Sequence, residues 1–242
     1  MTGKYREYPP RVDLRGAVAC LWERTGSGGQ QLIVPDGCVD LIWLAERELV
    51  IAGPDTGPRT VWLPEGLRSS GLRLRPGAAG AFLGLPASAV CNYQVNADDV
   101  FGSESMRMAD LLASTSTSGR LRLLADFAHR RRVMPDPIVA AAAHRLGRPE
   151  VRVATVAADL GISERQLHRR TMAAVGYAPK VLARVLRLRR LTRVPGPTLV
   201  ERALEAGYAS QAHMSDEVRA LTGLSASRYL VRFVEEAAPA DL

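Results

Sequence analysis

Two spacings of apolar residues divide this chain. Up to about residue 75 they fall in short alternating or wholly apolar runs: Ala17–Glu23, Gln31–Val34, Val39–Ala45, Leu49–Ala52, Thr60–Leu63 and Gly71–Arg75. Turn-forming residues bound each run, among them Thr25–Gly29, Pro35-Asp-Gly37, Gly53–Pro58, Pro64-Glu-Gly66 and Pro76-Gly77. Short runs with glycine–proline punctuation predict strands, and strands this closely spaced predict a small barrel or sandwich. Further on the spacing lengthens to that of helices, at Ala78–Leu83, Asp98–Ala113, Leu121–Arg132 and Ile138–Leu146. The polar run Ser114–Gly119 reads as a linker. Leu121, Leu124, Ala125 and Ala128 after it form one helical stripe, open to two uses: a dimer seam, or packing within the chain. Glu235–Leu242 reads as a frayed tail.

From Val151 a single pattern occurs twice. A short amphipathic helix leads to Gly161, then to Ser163, a second helix and a closing Gly176. The repeat runs from Leu199 through Gly207, Ser210 and a helix to Gly223. Helix, glycine turn, capping serine and helix is the order of a helix-turn-helix. Gln166, three residues after Ser163, completes a capping box, whereas His213 holds the matching place after Ser210 and leaves that box incomplete. In the first unit Leu167, Thr171 and Ala174 share one face, and Arg165, His168, Arg169 and Met172 the other. In the second, Met214, Val218 and Leu221 point inward, leaving Ala212, Ser215, Asp216 and Arg219 outside. Pro179–Arg193 reads as the helix joining the two units, with proline in its first turn.

Charge sharpens this division. Residues 1–113 carry 11 basic and 13 acidic side chains, and residues 114–242 carry 21 and 12. The net +7 of the chain therefore belongs to the half with the repeated pattern, as a phosphate-binding surface requires. No apolar run has the length of a membrane span, and the first residues have no signal-peptide core, so a cytoplasmic protein is expected. Cys20, Cys38 and Cys91 are widely spaced without a C-x-x-C pair, which fits reduced thiols.

The tandem resembles the DNA-binding domain of AraC/XylS-type bacterial transcription regulators. The resemblance rests on Ala206-Gly-Tyr-Ala-Ser-Gln-Ala-His-Met-Ser215 and Thr222-Gly-Leu-Ser-Ala-Ser-Arg-Tyr229, and extends from Pro135 to about Phe233. A weaker resemblance links Ile33-Val-Pro-Asp-Gly-Cys-Val-Asp-Leu-Ile-Trp43 to the cupin-like domain that precedes some such tandems. The fold implied is α+β in two domains: an N-terminal β-rich cupin-like barrel with short helices, and a C-terminal all-α tandem helix-turn-helix domain. Expected boundaries are 1–113 for the sensory or dimerisation domain, 114–133 for linker and amphipathic helix, 134–234 for the DNA-binding domain and 235–242 for the tail. Cupins of this kind that bind metal use clustered histidines, yet His129, His144, His168 and His213 all lie outside the barrel, so neither metal nor cofactor is expected.

By the same resemblance the two reading helices meet the major groove of promoter DNA. Arg165, Gln166, His168, Arg169 and Met172 are the candidate contacts from the first helix, and Gln211, Ala212, Ser215 and Asp216 those from the second. Arginine can pair with O6 and N7 of guanine, whereas Asp216 stands where the family commonly has a basic residue, so unequal roles are expected. Arg170, Arg187, Arg189 and Arg190 are expected to meet phosphate or solvent. RNA polymerase, a small-molecule effector and a second copy of the chain are the further candidate partners. Two alternatives stand beside this non-enzymatic reading. One is DNA alkyl repair through an acceptor cysteine, for which Cys38 is the candidate, although Asp36 and Asp40 beside it would raise rather than lower its pKa. The other is a regulator acting through protein contacts, its second helix-turn-helix degenerate.

Overall fold

The computed structural model describes residues 4–149 and 151–237. Its N-terminal part carries eight strands: β1 (Lys4–Tyr8), β2 (Val18–Thr25), β3 (Gly29–Ile33), β4 (Val39–Leu44), β5 (Glu48–Ala52), β6 (Arg59–Leu63), β7 (Arg68–Leu74) and β8 (Gln94–Asn96). Six form an antiparallel sheet in the order β1-β2-β7-β4-β5-β8, and β3 pairs with β6 in a separate ribbon. The β-rich expectation holds, but among the described residues no ladder joins β1 to β8 and no closed barrel forms.

Helices take the place of closure. In β4 the alternation is strict, with Val39, Leu41 and Trp43 at 2% exposure or less. Their face of the sheet meets α1 (Ala79–Leu83), α3 (Ser103–Ala113) and α4 (Thr117–Arg130) in one apolar core. Phe82, Phe101 and Phe127 meet there edge to face, with the Arg131 guanidinium stacked 4.4 Å from the Phe101 ring. A sheet whose apolar face is covered by helices has no need to curl onto itself.

The covering helix α4 corrects one expectation and decides another. The second half of the polar run expected as a linker is helix, since α4 begins at Thr117. Its stripe of Leu121, Leu124, Ala125 and Ala128 lies in the core beneath the sheet, so it packs within the chain and forms no dimer seam. Arg120, 8% exposed, anchors it by donating to the Leu112 carbonyl and pairing with Glu46 at 2.6 Å. The helix expected over 98–113 is broken into α2 (Asp98–Phe101) and α3 at Gly102, whose φ is +54°.

The C-terminal part is helical: α5 (Pro137–Leu146), α6 (Val153–Asp159), α7 (Glu164–Ala174), α8 (Pro179–Leu191), α9 (Leu199–Ala206), α10 (Gln211–Thr222) and α11 (Ala226–Ala237). Asp136 caps α5, its Oδ1 accepting from the amides of Ile138 and Val139, with Pro137 in the first turn. A second apolar core runs from Val139 to Leu230, crossing both repeats through Leu182, Val185, Leu188 and Leu191 of α8. α11 takes in the first three residues of the expected tail, and residues 238–242 lie outside the described residues. No helix among the described residues is long and apolar enough to cross a membrane.

Candidate nucleic-acid interface

Each reading helix is set by a local code. Between α6 and α7 the chain turns at Gly161 with φ +67°, and between α9 and α10 at Gly207 with φ +88°, a conformation that costs glycine little. Ser163 then caps α7. Its Oγ accepts from the Gln166 amide at 3.2 Å while Gln166 Oε1 accepts from the Ser163 amide at 2.9 Å, so the capping box is complete. Ser210 caps α10 by accepting from the His213 amide at 3.1 Å. His213 does not close the box; its Nδ1 accepts instead from the Ala209 amide at 3.3 Å. A complete box and a partial one are what the two sequences dictate.

The faces divide as their spacing requires. Leu167 and Thr171 are fully buried and Ala174 nearly so, while Arg165, Gln166, His168 and Arg169 are exposed and Met172 is half-buried. Met214, Val218 and Leu221 are likewise buried. Gln211, Ala212, Asp216 and Arg219 are exposed and Ser215 is half-buried. The hydroxyl of Ser215 already donates to the Gln211 carbonyl at 2.9 Å, so it is left as an acceptor towards any outside group. Arg165, Arg169 and Arg219 pair with no carboxylate among the described residues. Arg169 also borders an open cleft of about 620 Å³, lined by Gly77, Met134, Pro135 and Ala173 among others.

The arginines expected to meet phosphate or solvent also have partners within the molecule. Arg170 pairs with Asp136 at 2.8 Å, and Arg190 donates to the Glu205 carbonyl at 3.0 Å. Arg189 donates to the carbonyl of Asp36, 153 residues away in sequence, and so ties α8 to the N-terminal domain. Arg187 pairs with Glu217 at 3.1 Å and lies 5.3 Å from the centroid of the Tyr208 ring. Burial, with Glu217 next in weight, raises the Tyr208 phenol and keeps it neutral.

Glu217 is the organising residue that sequence reasoning missed. Only 8% exposed, it accepts from Arg187 and stands 3.4 Å from Arg184 and 3.5 Å from His213, locking α10 onto α8. Its i,i+4 spacing from His213 and the arginine pair on α8 were the available signals. Asp216, its neighbour, is exposed and takes no part in this cluster. Of the two carboxylates on α10, only Asp216 is offered to a ligand.

Cys38, the one candidate for covalent chemistry, is buried beneath the Pro35–Gly37 turn. Burial raises its thiol well above the ordinary range, the Asp36 carboxylate raises it further, and Arg73 and Arg189 offset only part of this. An acceptor thiolate needs the opposite environment. No group of three metal-ligating side chains occurs among the described residues.

Residues 156–232 match a family model described as a helix-turn-helix domain, and residues 6–96 match a domain of unknown function, DUF6597. The first match starts inside α6 and ends inside α11, so it takes in both repeats. None of the curated proteins compared matches the chain. Among solved structures, ToxT from Vibrio cholerae O395 is 9% identical, with 88% of this chain and 96% of that one covered at a TM-score of 0.46. A ToxT structure from Vibrio cholerae with an unsaturated fatty acid bound is 10% identical, with 95% and 94% covered at 0.41.

Proposed function

We propose that the matched helix-turn-helix domain is of the AraC type, that of a DNA-binding transcription regulator, and that α7 is its principal reading helix. The observation that carries this is the outward face of α7. A box-capped helix presents Arg165, Gln166, His168, Arg169 and Met172, and neither arginine is spent on an internal carboxylate. Arg165 and Arg169 are one turn apart and suit guanine edges, with Gln166 and His168 between them. The second helix offers Gln211, Ala212, Ser215 and Asp216. Its single exposed carboxylate opposes phosphate unless it accepts from a cytosine amine, and Arg219 one turn on balances it. α10 is therefore the weaker reader.

In this reading the protein acts by binding; burial, which raises the Cys38 thiol well above the ordinary range, argues against alkyl transfer. We assign residues 1–113 to the controlling domain, with 114–133 packed onto it as its last helix, and residues 134–234 to DNA binding, followed by the tail at 235–242. Control would reach DNA through a small-molecule effector or a second copy of the chain, with RNA polymerase as the downstream partner, in the cytoplasm. The test is binding of the full chain to the DNA upstream of its own gene, on cognate and scrambled sites. Arg169→Ala should lose about 1–3 kcal/mol and relax preference at one position. Asp216→Ala should be neutral or bind more tightly on every sequence. Wild-type affinity in Arg169→Ala, with loss of the cognate site alone in Asp216→Ala, would reverse the ranking.

A further inference from the structure

Two reading helices can address one operator only if their separation and mutual orientation match the groove. Successive major-groove faces lie about 34–36 Å apart along B-DNA. In this chain α8 is the main strut between the units, packing against α5 and α7 on one side and α9 and α10 on the other.

A second strut comes from the N-terminal domain. The segment Gly53–Pro58, between β5 and β6, reaches the closing glycine of both reading helices. A Cβ added to Gly176, after α7, would stand 2.5 Å from Cγ of Pro54 and 3.2 Å from the Ala87 carbonyl oxygen. A Cβ added to Gly223, the cap of α10, would stand 3.7 Å from Cγ of Pro58. Pro54 thus packs closely against Gly176, and Pro58, four residues on, lies beside Gly223 at the equivalent point of the repeat. Proline fixes its own φ, which stiffens the segment.

The segment is itself held from below. Asn92 Oδ1 accepts from the amide and hydroxyl of Thr56 at 2.8 and 3.0 Å, and the Asn92 amide donates to the Pro54 carbonyl at 3.1 Å. The Gly53 amide donates to the Tyr93 carbonyl at 2.9 Å, and Asp55 pairs with Arg59 at 3.4 Å. Gly53, Pro54 and Thr56 are thus held by hydrogen bonds, and Asp55 by an ion pair to the residue after Pro58.

We propose that the Gly53–Pro58 loop, buttressed by Asn92, is a clasp that holds α7 and α10 in one relative placement, making Pro54, Pro58 and Asn92 positioning residues for DNA reading. The proposal rests on the reading that these two helices meet DNA. A clasp of this kind prepays the ordering of the two units and so favours one half-site spacing over its neighbours.

Spin-label distances in the full chain test it directly. Genetically encoded labels at Glu164 and Ala220, exposed residues on α7 and α10, leave the native cysteines alone. The wild type should give one narrow distance distribution. Asn92→Gly removes the side-chain acceptor and suits the φ of +65° at that position, and Pro58→Ser trims an exposed contact; each should at least double the width. On operators with base pairs inserted between the two half-elements, both variants should lose at least threefold of the wild-type spacing discrimination. Equal widths in the wild type and both variants would overturn the clasp, and if Asn92→Gly fails to fold, Pro58→Ser alone decides. Broadening without DNA binding by any form would uphold the brace and overturn its part in DNA reading. DNA binding with unchanged widths would overturn the clasp and leave the DNA reading intact.

Discussion

Replacing Glu217 by glutamine isolates what fixes the second reading helix. Glutamine keeps the shape, but an amide nitrogen now faces a guanidinium, and the charge that drew Arg187, Arg184 and His213 together is gone. Hydrogen bonds to charged groups contribute about 1.5–3 kcal/mol, and breaking a buried pair costs about 3–5 kcal/mol. Here Arg187 and Arg184 retain 25% and 34% side-chain exposure and can turn to water, so the low end applies, at about 2 kcal/mol. For a chain of this size about 2–4 °C of Tm accompanies each kcal/mol, giving a fall of about 4–8 °C. Thermal unfolding followed by circular dichroism reads it, with the exposed neighbour as control: Asp216→Asn should stay within about 0.5 kcal/mol of wild type. A Glu217→Gln protein that melts with the wild type, or an Asp216→Asn protein that falls equally far, would show that the cluster does not anchor α10.

Two further outcomes follow from local chemistry. Ser163→Ala removes the Oγ acceptor that caps α7 while leaving the Ser163 backbone amide to donate to Gln166, and should cost about 1 kcal/mol in chemical denaturation; no change in midpoint would mean the cap is idle. Burial raises the pKa of Cys38, so at a given pH less of it is thiolate than of a free cysteine, and alkylation is correspondingly slow. Iodoacetamide at pH 8, read by mass spectrometry, should therefore label the part-exposed Cys91 before Cys38 in the native chain and label both in denaturant. Fast native labelling of Cys38 would restore alkyl acceptance as a contender.

The tandem was legible in the sequence because its signals are local. A glycine at each corner, a serine three residues before a glutamine and an apolar position every third or fourth residue all act within a single turn of helix. The six expected strands appear for the same reason. β1 went unseen because its side chains are largely exposed and its pairing with β2 is made by backbone groups, which leave no alternation to read. The partners of Arg187 and Arg189 were not legible because they lie 30 and 153 residues away. An arginine beside a reading helix looks the same in sequence whether it faces phosphate or a buried carboxylate. Sheet closure was misjudged because the residues that cover the sheet belong to α4, a segment whose polar opening looked like a linker.

The most direct test of the account is the salt dependence of binding. The full chain, titrated against its own upstream DNA between 50 and 200 mM salt, should lose affinity linearly on logarithmic axes. With about four phosphates neutralised the slope would be about −3.6, a loss of roughly a hundredfold over that range. Affinity that stays level across the range, or is no greater on the upstream DNA than on scrambled duplex at any salt, would contradict the claim that this chain reads DNA.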